Sequence, residues 1–438
     1  MVSILEKISS IVWGNYTLSF ILITGLFLTV KSRFFQITKS KLIFSSTIGT
    51  IFKKQTSKCN SNEISQFGSF CSVLAATMGT GNIIGVASAI TIGGAGSIFW
   101  MWVSAFLGMM IVYSENYFGT VYREKNSDGK WQGGAMNYIK TAFKNKYIAL
   151  FYASLCVLAS FGMGNMVQSN SITCAVSEAC PDSSFITGAI TAFLCGLVII
   201  GGIKRIANIT QIIIPAISLL YITSALAVII KNHEYILSAF EMIFSEAFGI
   251  KAVGGGISGA VISRGISTGL KRGVFSNEAG LGTSAMIHTS GNCKKPEVQG
   301  MWGILEVFAD TFVCCTITAL AVLCYLSKNN DLSCYGTELI INTFGSCFGK
   351  YSALLVTVSI IIFAFATLIG WAHCGESAFL YITGNRFSYL YKFVYCLTAF
   401  LGAVTRPEIV WTLSDIFNGL MIYPNVSALL VLSIRKKK

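Results

Sequence analysis

Charged residues are scarce in this sequence: they make up 12% of the 438 residues, whereas hydrophobic residues make up 53%. Soluble domains carry about 25% charged residues, so this composition excludes an ordinary soluble enzyme or binding protein. The few charges also cluster, and they leave apolar windows close to the length of one bilayer crossing. The composition therefore predicts an all-α polytopic membrane protein.

Histidine is scarcer still, with three residues, and the sequence contains neither an HExxH motif nor a CxxC pair. These absences argue against a metalloprotease and against a zinc site. Asp310 and Asp415 lack the paired motif of an intramembrane aspartyl protease, so we expect no enzymatic activity. His288 and His373 have no companion ligands, and we expect both to be ordinary helix histidines.

Acidic residues are fewer than basic ones, 19 against 32, which gives a net charge of +13. This excess does not indicate nucleic-acid binding, because the basic residues lie in short loops between apolar segments. With the N-terminus outside, 23 of them fall in inner loops and 6 in outer loops. Positive charge stays on the cytoplasmic side, so we predict an outside N-terminus, a cytoplasmic C-terminus and location in the cell (inner) membrane.

The fourteen cysteines are scattered through the apolar segments, and we expect most to be small buried residues. Two pairs, Cys174 with Cys180 and Cys334 with Cys347, could form a disulfide outside the cell. Spacing alone does not establish either bond.

Eleven transmembrane segments are predicted, and ten of them divide into two sets of five. The segments are roughly 12–31, 65–92, 96–120, 148–177, 184–201, 207–230, 253–290, 298–327, 351–381, 387–404 and 408–434. An odd-numbered repeat must be inverted relative to its copy. The predicted units are an N-terminal transmembrane helix with an interfacial cytoplasmic helix (1–62, the latter at 41–54), a first repeat (63–232), an outside interfacial helix (233–252, centred on 234–251), a second repeat (253–434) and a basic cytoplasmic tail (435–438).

The first segment of each repeat is interrupted by glycine, in ATMGTGNIIG and in VFSNEAGLG. Gly79 and Gly81 permit an unwound stretch, and unpaired backbone groups cannot face lipid. The N–H groups of such a break favour a carboxylate, and its carbonyl groups favour a cation or an ammonium group. Taken alone, the glycines could equally serve close helix packing, but paired breaks at corresponding positions favour a transport site at the membrane midplane.

Several charged side chains accompany the second break. Glu278 either binds a cation or proton, or is a structural carboxylate that holds the break in shape. Lys271 and Arg272 either draw anionic groups into an outer vestibule or snorkel outward.

Three further carboxylates fall within predicted spans. Glu306 and Asp310 share one helix face, where two ionised groups would repel, so they form either a coupling pair or a buried polar network. Glu115 either makes an inner gate with a basic residue such as Arg123 or is a solvated carboxylate at a helix end.

Five runs resemble signatures of the alanine or glycine:cation symporter family. They are GGAGSIFWMWVSAFLG (93–108), VFSNEAGLGTSAMIHT (274–289), GTGNIIGVASAI, GNMVQSNSI (164–172) and FAFATLIGWAHCGE (363–376). The resemblance covers residues 12 to 434 and implies a LeuT-type fold, with two inverted five-helix repeats and one leading helix. It also implies secondary active transport of a small amino acid, usually driven by Na+.

Carried over residue by residue, the resemblance implies a complete site. The residues expected to bind or wall the substrate are Thr80, Gly81, Asn82, Asn165, Gln168, Phe275, Ser276, Asn277 and Trp371. Those expected to bind Na+ are Ala75, Met78, Ala364 and Thr367, with a second ion held by Thr77 (through its carbonyl), Asn82 and Ser276. Related folds often offer two hydroxyl groups on the eighth core helix, whereas this sequence offers Thr367 alone, so water or a proton could complete the first site.

The predicted function is Na+-coupled symport of alanine or glycine by a monomeric transport unit. A bundle that contains both broken helices rocks against the remaining scaffold. The alternative is proton coupling through Glu278 or through Glu306 and Asp310. An ion channel is disfavoured, because the two breaks differ in sequence.

Overall fold

The computed structural model describes residues 2–51, 64–125, 131–178, 180–249, 258–291, 295–329 and 334–435. These residues are helical apart from turns, irregular connections and one short antiparallel hairpin. The helices of the first half are α1 (Val2–Val12), α2 (Asn15–Lys31), α3 (Phe35–Thr38), α4 (Ser40–Ser46), α5 (Ile48–Ile51), α6 (Gln66–Thr77), α7 (Ile84–Gly93), α8 (Gly96–Val121), α9 (Ala135–Phe143), α10 (Lys146–Phe161), α11 (Val167–Ser177), α12 (Ser184–Ile199) and α13 (Gly202–Lys231).

The second half continues with α14 (Ile236–Phe248), α15 (Ser258–Asn277), α16 (Thr283–His288), α17 (Pro296–Val307), α18 (Thr316–Asn329), α19 (Gly336–Phe348), α20 (Ser352–Thr383), α21 (Ser388–Val404) and α22 (Pro407–Arg435). The hairpin pairs β1 (Glu124–Lys125) with β2 (Trp131–Gln132). It follows α8 directly and leads into α9.

Each of the eleven predicted transmembrane segments overlaps helix within the described residues, and residues 253–257 of the seventh lie outside them. Seven helical stretches of the described chain are long and apolar enough to cross a membrane, and three shorter apolar helices accompany them. The protein is therefore an integral membrane protein built of helices. The count of eleven crossings and the inverted repeat stay predictions.

Local sequence accounts for several helix boundaries. The Ser65 hydroxyl accepts a hydrogen bond from the Gly68 N–H (2.9 Å) and caps α6, and the Asn145 side chain caps α10 in the same way. Pro296 begins α17, where its missing N–H is of no consequence. Gly384 ends α20 in the left-handed conformation, which glycine adopts without strain.

Two long helices contain a π-helical stretch that the sequence pattern does not predict. Residues Gly162–Met166 join α10 to α11, and Phe308–Cys315 join α17 to α18. A π-helix inserts an extra residue into the turn and is frequent at functional sites. Each of these stretches carries a candidate site residue, Asn165 in the first and Asp310 in the second.

Four predicted features differ from the structure. The expected interfacial helix at 41–54 consists of α4 and α5, which are separated at Thr47, and residues 52–54 lie outside the described part. The expected helix at 234–251 is α14 preceded by a short 3-10 turn, and residues 250–251 again lie outside. Helices α9 and α19 were not predicted, because both fall in segments that read as loops. Cys174 is not bonded to Cys180, and Cys334 is not bonded to Cys347, so neither of the two disulfides is formed.

Helix α8 occupies the centre of the fold. It packs against α15, α16 and α17 on one side of the molecule and against α2 and α14 elsewhere. Helix α20 packs against α6, α10 and α11, while α10 and α1 pack against α22. The broken helices therefore lie between α8 and α20, which position the site described below.

Candidate functional site

The first break lies between α6 and α7. Regular helical bonding continues to the Met78 N–H, which donates to Leu74 (2.7 Å), and it resumes with the Ala87 N–H donating to Ile83 (3.2 Å). Between them the Gly79 N–H turns back to the Thr77 carbonyl (2.9 Å). Within the described residues no backbone partner is recorded for the N–H groups of Thr80 and Gly81.

The second break lies between α15 and α16, two to three residues later than the sequence predicted. Phe275 and Ser276 were expected inside the break, but they form the last turn of α15, which ends at Asn277. Glu278 adopts a left-handed backbone conformation, with φ of 56°, and α16 begins at Thr283. The glycines that follow Glu278 allow the chain to reverse locally without a side-chain clash.

Other acceptors capture the N–H groups that would have continued α15. The Ala279 N–H donates to the Asn277 side chain (3.1 Å), and the Gly280 N–H donates to Glu115 Oε1 (3.0 Å). In an unbroken helix these two groups would bond the carbonyls of Phe275 and Ser276. Those carbonyls are consequently released from the helical ladder.

The two breaks face each other directly. A Cβ atom placed on Gly81 would lie 3.4 Å from the Phe275 ring and 3.7 Å from the Ser276 Cα. Thr80, Gly81, Asn82 and Phe275 are all buried. The first break therefore lies against the last turn of α15, within a buried polar centre.

Helix α20 closes another side of this centre. The Thr367 hydroxyl donates to the Ala75 carbonyl (2.8 Å), and Thr80 Oγ1 donates to Gln168 Oε1 (3.2 Å). A Cβ on Gly79 would lie 2.5 Å from Thr367 Oγ1 and 3.2 Å from Gln168 Oε1. The structure therefore brings Gln168 and Thr367 to the first break.

The other predicted residues of this region are placed as follows. Met78 and Ala364 are buried, and Ala364 lies one turn before Thr367 on α20. The side-chain nitrogen of Asn165 donates to the Tyr395 carbonyl (2.6 Å) and to Thr398 (3.0 Å). The amide nitrogen of Asn165, expected to wall the pocket, is thus occupied by α21.

Asp310 connects the two breaks. One carboxylate oxygen accepts from Asn82 Nδ2 (2.6 Å), and the other accepts from the hydroxyls of Ser276 (2.7 Å) and Thr311 (2.8 Å). The side-chain amide of Asn277 in turn donates to Thr311 (3.2 Å). The second broken helix, the first one and the π-helical stretch therefore meet at one carboxylate.

Glu278 and Trp371 are direct partners. Trp371 Nε1 donates to Glu278 Oε1 (2.6 Å), and the Thr283 hydroxyl donates to Oε2 (2.5 Å). Both side chains are fully buried. The carboxylate thus ties the break at Glu278 to α20 and to the start of α16.

Glu306 lies apart from Asp310, although the sequence grouped them as a pair. Its Oε2 accepts from the Ser284 hydroxyl (2.7 Å) and lies 3.6 Å from His288 Nε2. The Gln299 side chain contacts the other ring nitrogen of His288 at 2.6 Å. Glu306 therefore belongs to a buried cluster between α16 and α17.

Glu115 differs from both predictions made for it. It is fully buried rather than solvated, and its Oε1 accepts from the N–H groups of Gly280 (3.0 Å) and Gly282 (3.1 Å) and from Asn425 Nδ2 (2.7 Å). Arg123 instead donates to the carbonyls at the end of α16. The sequence signal for this role was weak, because helix periodicity alone does not distinguish a buried carboxylate from one at a helix end.

Lys271 and Arg272 also differ from the snorkelling expectation. The Lys271 ammonium lies 2.6 Å from Asp415 of α22. The Arg272 guanidinium lies over the rings of Phe275 and Trp411, which stack with centroids 5.3 Å apart. Both basic side chains therefore contact α22, through Asp415 and Trp411.

An integral membrane protein with two broken helices at one buried polar centre belongs to the class of secondary transporters. In fold it resembles the crystal structure of MhsT in complex with L-phenylalanine, a LeuT-type transporter, with a TM-score of 0.59 and 11% identity over 83% of this chain and 89% of the other. The sequence profile of the Sodium:alanine symporter family matches residues 1–438. The chain belongs to that family, which confirms the predicted family and the prediction that it is not an enzyme.

Two relatives bear on the substrate. The chain is 38% identical to the sodium/alanine symporter AgcS of Methanococcus maripaludis, covering 99% of this chain and 95% of AgcS. It is 30% identical to the probable sodium/glutamine symporter GlnT of Bacillus subtilis, covering 99% and 89% respectively. The names of these relatives differ in substrate, so membership of the family alone does not identify the amino acid.

Proposed function

We propose that this protein is a symporter that carries alanine or glycine into the cell together with Na+. The observation that supports this function best is the direct apposition of the two breaks. The N–H groups of Thr80 and Gly81 suit a carboxylate, and the released carbonyls of Phe275 and Ser276 suit an ammonium group. A zwitterion bound between them would satisfy both sets of buried backbone groups.

The surrounding side chains favour a small amino acid. Phe275 covers Gly81. Trp371 is held by Glu278 against the π-helical stretch between α10 and α11, where a Cβ on Gly164 would lie 2.5 Å from the Trp371 Cγ. Two large buried rings near the backbone site leave room for hydrogen or methyl rather than for a longer side chain. The relative AgcS, named as a sodium/alanine symporter, supports the same choice.

Oxygen atoms without fixed charge suit a monovalent hard cation beside the first break. The proposed Na+ ligands are the carbonyls of Ala75, Met78 and Ala364 and the hydroxyl of Thr367. The Thr367 hydroxyl donates to the Ala75 carbonyl (2.8 Å). This contact brings the two oxygen atoms together, so both would coordinate one Na+ if the hydroxyl kept its proton and turned it away from the ion. A second ion would use the Thr77 carbonyl, Asn82 and Ser276.

The remaining elements of the proposal concern topology and movement. We place eleven crossings as two inverted repeats after a leading helix, with the N-terminus outside and the C-terminus in the cytoplasm of the cell (inner) membrane. The unit is a monomer. The bundle with both broken helices rocks against the scaffold, and bound Na+ and amino acid each favour closure, which couples their movements.

Uptake into proteoliposomes tests this function. An inward Na+ gradient should drive accumulation of labelled alanine or glycine, whereas labelled glutamine should be taken up poorly. Choline in place of Na+ should abolish accumulation. Uptake driven by a proton gradient in Na+-free buffer would instead support proton coupling through Glu278 or through Glu306 and Asp310. Uptake of glutamine in preference to alanine would contradict the proposed substrate.

A further inference from the structure

Asp310 is a buried carboxylate that has only neutral partners. Its exposed fraction is 0%, and its donors are the amide of Asn82 and the hydroxyls of Ser276 and Thr311. Among the residues that the structure describes, no lysine or arginine forms an ion pair with it. Burial of an ionised carboxylate is strongly unfavourable unless a positive charge lies beside it. Asp310 is therefore a candidate ligand for a cation.

A second observation indicates where that cation would bind. The side-chain oxygen of Asn82 is buried and has no hydrogen-bond partner, although the nitrogen of the same amide contacts Asp310 at 2.6 Å. A buried amide oxygen without a hydrogen-bond partner is unfavourable. The Asn82 side chain thus joins an unpartnered buried oxygen to the Asp310 carboxylate through one amide group.

Both broken helices carry further oxygen atoms that the proposed site would use. Ser276 Oγ comes from the end of α15, and the Thr77 carbonyl comes from the end of α6, where it accepts the Gly79 N–H with one of its two lone pairs. Oxygen ligands of this kind select hard cations. The thiol of Cys315, which lies 3.3 Å from both Asn82 and Ser276, is a poor ligand for such an ion and would serve as a wall.

We propose that Asp310 is the charged ligand of the second cation site and that the ion bound there is Na+. This inference rests on the proposed function, and it adds a carboxylate to the ligand set Thr77, Asn82 and Ser276. Because Asn82 and Ser276 belong to different breaks, an ion at this site ties the two broken helices together. The first site, at Thr367, has no fixed charge, so the two ions differ in their dependence on Asp310.

The Na+ dependence of uptake by Asp310→Asn tests the proposal. With two ions per cycle, the wild-type rate should rise with Na+ with a Hill coefficient approaching about 2, and the variant should show a coefficient of about 1. The Na+ concentration for half-maximal rate should rise at least about tenfold, as expected when a charged ligand is lost. Glu376→Gln removes a carboxylate that pairs with Lys392 instead, and should keep the wild-type Hill coefficient.

A binding measurement covers the case in which the variant transports poorly. Addition of Na+, but not of choline, should raise the unfolding temperature of the purified wild-type protein, since a ligand that binds only the folded state stabilises it. The shift should be smaller in Asp310→Asn and also in Asn82→Ala, which removes the unpartnered oxygen but keeps the carboxylate.

Two results would overturn the proposal. One is an unchanged Hill coefficient and half-saturation in Asp310→Asn, with an unchanged Na+-induced thermal shift. The other is an Asp310→Asn variant whose uptake loses its dependence on pH but keeps its dependence on Na+, which would assign a proton rather than Na+ to Asp310. Wild-type protein without any Na+ stimulation would refute the proposed function itself, so the two failures are distinguishable.

Discussion

Replacing Glu115 with alanine should collapse the second break. Three donors converge on its Oε1: the N–H groups of Gly280 and Gly282 and the side-chain nitrogen of Asn425. The carboxylate is fully buried, so water has no direct access to these donors in the folded state. Each buried donor that loses its acceptor lowers the free energy of unfolding by about 1–3 kcal/mol. Three such donors together predict a decrease of about 3–9 kcal/mol.

A loss of this size is comparable to the whole stability of a typical domain, about 5–15 kcal/mol. Glu115→Ala should therefore unfold at a temperature lower by at least about 6 °C, taking about 2 °C for each kcal/mol. Thermal unfolding in detergent, followed by size-exclusion chromatography of the surviving fraction, measures this change. Uptake of alanine should fall in parallel, because the released carbonyls of Phe275 and Ser276 depend on the same break.

Glu115→Gln is the matched control. Glutamine keeps an oxygen acceptor at the position of Oε1, and its nitrogen replaces Oε2, which has no hydrogen-bond partner in the described structure. The glutamine variant should thus retain most of the stability and uptake. If Glu115→Ala and Glu115→Gln lost stability and uptake to the same extent, the break would require the negative charge of Glu115 rather than a hydrogen-bond acceptor. If Glu115→Ala unfolded like the wild-type protein, the reasoning about the break would be refuted.

Two further substitutions test other parts of the site. Thr367→Val should raise the Na+ concentration for half-maximal uptake about tenfold, because one oxygen ligand is lost. Thr367→Ser keeps the hydroxyl and should stay near the wild-type value. Equal half-saturation values for both variants would show that the hydroxyl is not a ligand of the ion. Gly164→Ala should destabilise the protein by about 1–3 kcal/mol through overpacking, since the new Cβ would lie 2.5 Å from Cγ and 2.7 Å from Cδ2 of the fixed Trp371 ring. Gly85→Ala is the control for Gly164→Ala, because the nearest atom to a Cβ on Gly85 among the described residues is the Thr80 carbonyl oxygen, at 4.0 Å. Similar unfolding temperatures for the two alanine variants would contradict the packing argument.

The sequence predicted the first break well and the second less well. In the first, Gly79 and Gly81 surround the point where helical bonding stops, and no competing acceptor is involved. In the second, the end of α15 is decided by Glu115 and by the left-handed backbone of Glu278. Glu115 is distant in sequence, so no local pattern could show that the helix would continue past Phe275 and Ser276.

Local sequence also could not show that Glu306 and Asp310 have different partners. Glu306 and Asp310 are four residues apart, and a regular helix would place them on one face. The π-helical stretch that begins at Phe308 changes this register, and the two groups reach different partners, Ser284 and Ser276. A π-helix depends on tertiary contacts rather than on a local sequence signal, which explains why the prediction grouped these residues.

Glu115 lies between two sets of contacts that the second broken helix makes. Before the break, Lys271 of α15 is bound to Asp415 of α22. After the break, Arg123 donates to the carbonyls of Thr289 and Gly291 at the end of α16. The two sets of contacts thus belong to separate halves of the helix, and the break between them is attached to α8 through Glu115.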